Sequence, residues 1–169
     1  MFDAAITDLA VEVLDLCRAR GLTVATIESC TGGLVAGALT AIPGSSDVVI
    51  GGLVTYSNAA KTALAGVSAD LISQHGAVSE PVARAMAQGG ALRLATRLAV
   101  AITGVAGPGG GSAEKPVGLV HFACAGGPAG LAHREERFGS LSRDEIRRLS
   151  VLIALEMLRE AARACARSR

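Results

Sequence analysis

The chain has 169 residues, of which 50% are hydrophobic but only 2% aromatic, and its formal net charge is +1. That length suits one domain with a real core, since about 150 residues bury roughly 70% of their unfolded surface, and the core must be built from Ala, Val, Leu, Ile and close-packed glycine. No basic run exceeds Arg147-Arg148, so the sequence offers no electrostatic footprint for nucleic acid or an anionic membrane, and stacking on bases is not a theme.

The first element is an amphipathic helix with Ile6, Leu9, Ala10, Val13, Leu14 and Cys17 on one stripe and Gly21 as its stop signal. The start, with Asp3 and Asp8, does not read as a signal peptide, and no apolar run reaches the roughly 20 residues of a membrane helix. Leu22 to Ile27 reads as a buried strand, Gly33 to Ala41 as a helix ended by Pro43-Gly44, and Val48 to Thr55 as a second strand. Short helical pieces follow at Ala59 to Leu64 and Ala69 to Gln74. Ser79-Glu80-Pro81 then opens a helix to about Ala95.

Leu98 to Ile102 is a third buried strand, followed by a Gly/Pro loop over 104–116. Gly118 to Ala125 and Leu131 to Phe138 read as an antiparallel hairpin, and Ser142 caps a final helix with a broad apolar stripe. Strands alternating with helices and then a hairpin predict a three-layer α/β/α sandwich around a mixed sheet, one domain over residues 1–169. Cys17, Cys30, Cys124 and Cys165 fall in no CxxC or metal-ligand spacing, the pattern of reduced thiols in a cytoplasmic protein, so no metal is expected on them.

Three polar motifs stand at the tails of the three strands: Glu28 to Gly33, Tyr56 to Lys61 and Thr103 to Pro108. Parallel strands deliver their carboxyl ends to one rim, where open α/β sheets bind ligands. Ser29 precedes a helix start at Thr31, Gly32 and Gly33, whose free N–H groups suit an oxyanion or a phosphate. The middle motif holds the only tyrosine, Tyr56, and Lys61, one of two lysines in the chain. A partly desolvated lysine can lose its proton and serve as the base for a serine, and Tyr56 can relay or position that proton. His75, His121 and His133 stand at none of the motif-bearing strand ends. Cys30 is the second-ranked nucleophile. The Gly104 to Gly111 run matches neither Walker A nor GxGxxG and reads as a ligand-shaping loop. Arg143 and Arg147, four apart on one helix face, suit phosphate, with a solvated face as the alternative.

At these residues the chain resembles the CinA C-terminal family, the nicotinamide mononucleotide (NMN) deamidases. The likeness extends over Glu28 to Gly33, Gly52 to Asn58 with Lys61, Gly76 to Ser79, Thr103 to Pro108 and Lys115 to Gly118. The resemblance implies a metal-free and cofactor-free amidohydrolase that converts NMN to nicotinate mononucleotide and ammonia, with Ser29 as nucleophile and Lys61 and Tyr56 beside it. It implies substrate contacts from Thr31, Gly32, Gly33, Asn58, Thr103, Gly104, Gly107, Arg143 and Arg147, and a homodimer as the assembly. The family commonly has Gly-Asp before the first of these arginines where this chain has Leu141-Ser142. The full-length CinA architecture also carries an N-terminal nucleotide-hydrolysing domain that this sequence does not contain. A catalytically silent binding or regulatory domain is the alternative of a different class.

Overall fold

The computed structural model describes residues 2–166; residue 1 and residues 167–169 of the predicted domain lie outside the described residues. Helix α1 (Ala4–Arg18) starts where the Asp3 carboxylate accepts the Ile6 N–H at 3.0 Å. It stops as predicted at Gly21, whose φ of 61° is costly for a side-chain-bearing residue. There the Leu22 and Gly21 N–H groups return to the carbonyls of Cys17 and Arg18, the paired bonds of a Schellman stop.

Five strands form one mixed sheet in the order β2-β1-β3-β4-β5: β1 (Val24–Glu28), β2 (Val49–Val54), β3 (Leu98–Gly104), β4 (Leu119–Gly126) and β5 (Leu131–Arg137). β1 pairs parallel with both β2 and β3, and β3-β4 and β4-β5 pair antiparallel. Central strands buried on both faces have no polar side to alternate with, which is why β1, β3 and β4 read as continuous apolar runs. β3 continues two residues past the predicted Ile102, because its ladder with β4 persists through Thr103↔His121 and Gly104↔Val120.

The two faces differ in side-chain size. Leu98, Val100, Ile102, Val120 and Phe122 pack with α1 and α6 (Arg143–Ala164). Ala25, Ala99, Ala101, Ala123 and Ala125 lie under α5 (Glu80–Leu94) on the other. Small residues let α5 approach closely. A β-carbon on Gly90 would collide with Ile27, and one on Gly89 with the Ala65 carbonyl. Helices α3 (Asn58–Ala65) and α4 (Ala69–His75) complete this layer, and α2 (Leu34–Thr40) sits on the α1/α6 side. The sandwich is therefore three-layered, as predicted. Ser142 caps α6 by accepting the Glu145 N–H, so Leu141-Ser142 still makes a helix start. Ser79 occupies the α5 cap position without capping through its side chain; its hydroxyl donates to the Gly76 carbonyl at 2.8 Å instead.

Candidate active site

The parallel trio brings the ends of β1, β2 and β3 to one rim, and a cleft of about 210 Å³ opens there. Ser29, the residue after β1, lines it, as do Lys61 from the first turn of α3 and Thr103 from the end of β3. Ser57 fixes that turn by accepting the Ala60 N–H at 3.0 Å, and the helix geometry carries Lys61 inward. Its Nζ lies 2.9 Å from Ser29 Oγ and 2.8 Å from the Thr55 carbonyl. Lys61 is 1% exposed and Ser29 8%.

Among the described residues no carboxylate forms an ion pair with Lys61. Burial therefore acts on the ammonium with little to oppose it and lowers the lysine pKa. A charged Lys61 donates to both oxygens. A neutral one donates to Thr55 and leaves its lone pair facing Ser29, the arrangement a base requires.

Glu28, whose role the sequence reading did not identify, explains how Ser29 is presented. Its carboxylate is fully buried and accepts the N–H groups of Gly33 (3.0 Å), Val35 (3.1 Å) and Ala36 (2.8 Å). Helix α2 has no side-chain cap at Gly33, and this acid at the end of β1 takes that place, locking the strand-to-helix turn around Ser29. One expectation is thereby corrected: the α2 N–H groups do not point at a ligand, because Glu28 already occupies them. The Gly32 N–H returns to the Ser29 carbonyl at 3.1 Å. Neither Gly32 nor Gly33 lines the cleft; a β-carbon on the first would meet Arg147 and on the second Val54. The signal for Glu28 was an acid closing an apolar strand just before a helix whose immediately preceding residues, Gly32 and Gly33, carry no capping side chain.

The rim is polar and open. Tyr56 is 61% exposed, and its hydroxyl is not brought onto Ser29 or Lys61. It accepts from Arg143 Nη2 at 3.1 Å, while Arg143 Nη1 donates to the Gly107 carbonyl at 2.7 Å. One guanidinium thus ties the end of β2, the glycine loop and the start of α6 together across the cleft. Asn58 and Gly104 also line it, whereas Gly107 contributes only the carbonyl held by Arg143. Thr103 Oγ1 donates to the Ala77 carbonyl at 2.8 Å, fixing the opposite wall.

Arg147 is separated from Arg143. Four residues advance a helix by about 6 Å, and Arg147 lies behind the nucleophile turn. There Nη2 donates to the Thr31 carbonyl at 3.2 Å, and the side chain lines another cavity, of about 410 Å³, between α1, α2 and α6. The Thr31 hydroxyl is buried without a partner, as is Arg147 Nε. Thr31 and Arg147 therefore do not join the cleft. Cys30 lines it, but burial pushes its thiol up to about 12, which disfavours the thiolate. His121 and His133 hold each other, Nδ1 to Nε2 at 3.1 Å, away from the cleft. Among the described residues no three His, Cys, Asp or Glu side chains gather to hold a metal ion, and no helix is long and apolar enough to cross a membrane.

Comparison with known proteins agrees with the fold. Residues 6–162 match the profile of the CinA C-terminal domain. A CinA-like protein of Prochlorococcus marinus is 55% identical over 152 residues, 89% of this chain and 35% of that protein. One from Mycolicibacterium paratuberculosis is 55% identical over 157 residues, 91% of this chain and 35% of that protein. The chain thus spans about a third of the length of these curated relatives. The crystal structure of the competence/damage inducible protein CihA from Agrobacterium tumefaciens superposes with a TM-score of 0.91 at 51% identity, covering 94% of this chain and 96% of that one. A CinA superfamily protein from Klebsiella pneumoniae gives 0.88 at 32% identity, over 94% and 98%. With residues 6–162 matched and relatives at 51–55% identity, the chain belongs to the CinA C-terminal domain family.

Proposed function

We propose that the protein is a serine amidohydrolase that converts nicotinamide mononucleotide and water to nicotinate mononucleotide and ammonia. The observation that carries this reading is the 2.9 Å contact between Lys61 Nζ and Ser29 Oγ in a buried setting, with no carboxylate partner for the lysine among the described residues. Such a lysine costs folding stability, and a module that only binds a ligand has no use for it.

Neutral Lys61 takes the Ser29 proton as Oγ attacks the carboxamide carbon. The tetrahedral intermediate collapses as the Lys61 ammonium protonates the leaving nitrogen, releasing ammonia and leaving an ester on Ser29. Water, deprotonated by the same amine, then cleaves the ester. The Cys30 N–H takes no backbone acceptor among the described residues, and Cys30 lines the cleft. It follows the nucleophile directly, and we assign it to the developing oxyanion.

The volume of the cleft suits a pyridine ring with the rest of the nucleotide over the open rim, and we assign the phosphate to Arg143, which lines the cleft, rather than to Arg147, which does not. Incubation of purified protein with NMN, with ammonia and nicotinate mononucleotide measured, tests the reading. Stoichiometric release of both, abolished by Ser29→Ala, supports it. Saturable NMN binding with no ammonia favours the silent binding domain.

A further inference from the structure

Arg147 lies outside the cleft, yet its charge has no counter-ion. Among the described residues no carboxylate forms an ion pair with it. Of the two acids on the same cavity, Asp3 is held by Arg148 and Asp144 is exposed. The half-buried side chain keeps its Nε unpartnered, and its Nη2 donates to the Thr31 carbonyl at 3.2 Å. Partly burying a cation without a counter-charge is unfavourable, and packing alone would be served by an apolar side chain.

The Thr31 carbonyl is the first link of a chain. It shares a peptide unit with the Gly32 N–H, which donates to the Ser29 carbonyl at 3.1 Å. The Ser29 carbonyl in turn shares a peptide unit with the Cys30 N–H, the donor assigned to the oxyanion. Two peptide dipoles joined by one hydrogen bond therefore connect the guanidinium to the reacting oxygen. Hydrogen bonds in series polarise one another, so a cation at the carbonyl end makes the N–H at the far end a stronger donor. The Leu34 N–H, 3.3 Å from the same Thr31 carbonyl, acts in the same sense. The Arg147 charge is also felt at Cys30 through space: burial dominates the rise of the thiol pKa, and Arg147 is among the charges that oppose it.

On the amidohydrolase reading, on which this inference rests, we propose that Arg147 is a positioning residue of the oxyanion hole: it holds the Ser29 to Gly32 turn and polarises the Cys30 N–H through these two peptide units. The turn is then clamped by opposite charges. Glu28 takes the N–H groups of Gly33, Val35 and Ala36 on one side, and Arg147 takes the Thr31 carbonyl on the other. Arg143 does not share this role, because its two terminal nitrogens are engaged by the Gly107 carbonyl and the Tyr56 hydroxyl.

Arg147→Met removes the charge and the donor, whereas Arg147→Lys keeps both as a point charge. Losing an oxyanion donor outright costs about 10²- to 10³-fold, and polarisation along a hydrogen-bonded chain is worth roughly 10–30% per bond. The kcat of Arg147→Met should therefore fall about twofold to tenfold. KM should stay where it is, because the oxyanion forms only on the way to the transition state. The fall should be equal on NMN and its riboside, and Arg147→Lys should recover most of it. Amide proton shifts read the relay without any turnover. In isotope-labelled protein the Gly32 and Cys30 amide protons should move upfield in Arg147→Met and return in Arg147→Lys. The Ser29 N–H, bonded to the Ile102 carbonyl and outside the relay, should not move. A wild type that releases no ammonia from NMN would overturn the amidohydrolase reading and leave the amide shifts to decide the relay. Unmoved Gly32 and Cys30 protons, an unchanged kcat, a loss confined to KM, or shifts spread through the whole domain in Arg147→Met would each overturn the relay.

Discussion

The floor and the rim of the cleft are built on opposite principles. On the floor Ser29 and Lys61 are almost completely buried, bonded to each other and to the Thr55 carbonyl, and Glu28 locks the turn that carries the serine. On the rim Tyr56 and Arg143 are held by one another and by a loop carbonyl, within reach of water. Burial strengthens electrostatic effects and shifts proton affinities, whereas exposure screens them. The floor is therefore where a bond-breaking step can be driven, and the rim is where a ligand can be recognised and released. Substitutions should separate the two regions by size of effect.

The largest loss should come from the floor. Ser29→Ala removes the nucleophile and should lower the rate of ammonia release on the order of 10⁴-fold or more. Its neighbour Cys30, whose buried thiol is held protonated, should tolerate alanine with most of the rate intact. Ammonia release measured side by side on the two variants decides the nucleophile, and a reversed order would transfer the role to Cys30.

Lys61→Arg keeps the charge but cannot yield a neutral amine near neutral pH, so the rate should fall about 10²- to 10⁴-fold, as after loss of a general base. Equal rates in this variant and wild type would reduce Lys61 to an electrostatic anchor. The lowered lysine pKa also has a direction in pH. Between its folded value and the unfolded value near 10.5, the unfolded chain binds more protons than the folded one, so stability rises with pH across that window. The rate rises through the folded pKa in the same sense as the free amine appears. Lys61→Met should abolish that stability slope, which urea titrations at several pH values would register.

Glu28→Ala should act on the fold. It leaves three N–H groups at the start of α2, one buried and two partly buried, without their acceptor, at a cost of about 3 kcal/mol. A lower urea midpoint at unchanged slope would register it.

On the rim, Arg143→Ala should shrink the preference for NMN over its dephosphorylated riboside by tenfold to a hundredfold, the worth of a charge-assisted hydrogen bond of about 1.5–3 kcal/mol. Arg147→Ala should leave that preference alone, since its guanidinium lies behind the turn on the Thr31 carbonyl. Competition assays on the two variants set the rim apart from the region behind the nucleophile.

How far the sequence shows this division follows from the range of each signal. Of the three parallel strands ending at one rim, β1 and β3 were legible because doubly buried strands leave continuous apolar runs, and the Gly21 and Ser142 boundaries because caps are local chemistry. Ser29 and Lys61 could be singled out by residue type and position, but their contact closes over 32 residues and depends on how α3 is aimed. The split between Arg143 and Arg147 was hidden, because a shared helix face fixes direction around the axis and says nothing of which neighbour each side chain meets one turn apart. Lys115, the other lysine, shows why residue type alone decides little: it reaches out to the His75 carbonyl at the surface and ties the glycine loop to the α4 end.

The smallest effect expected is that of Tyr56→Phe, and it bears most directly on the boundary between the two regions. The ring stays and only the hydroxyl is lost, along with its bond from Arg143 at 3.1 Å. An exposed hydrogen bond is worth about 0.5–1.5 kcal/mol, so a change of roughly twofold to tenfold follows. If Tyr56 acts through Arg143, the loss appears in KM and vanishes in an Arg143→Ala background, where the partner is already gone. If the hydroxyl moves inward during turnover to pass a proton between Ser29 and Lys61, the loss appears in kcat and survives that background. The double-mutant cycle separates the two, because coupling is confined to residues that touch. An uncoupled fall in kcat would place Tyr56 on the floor during the reaction, despite its position at the rim in the resting protein.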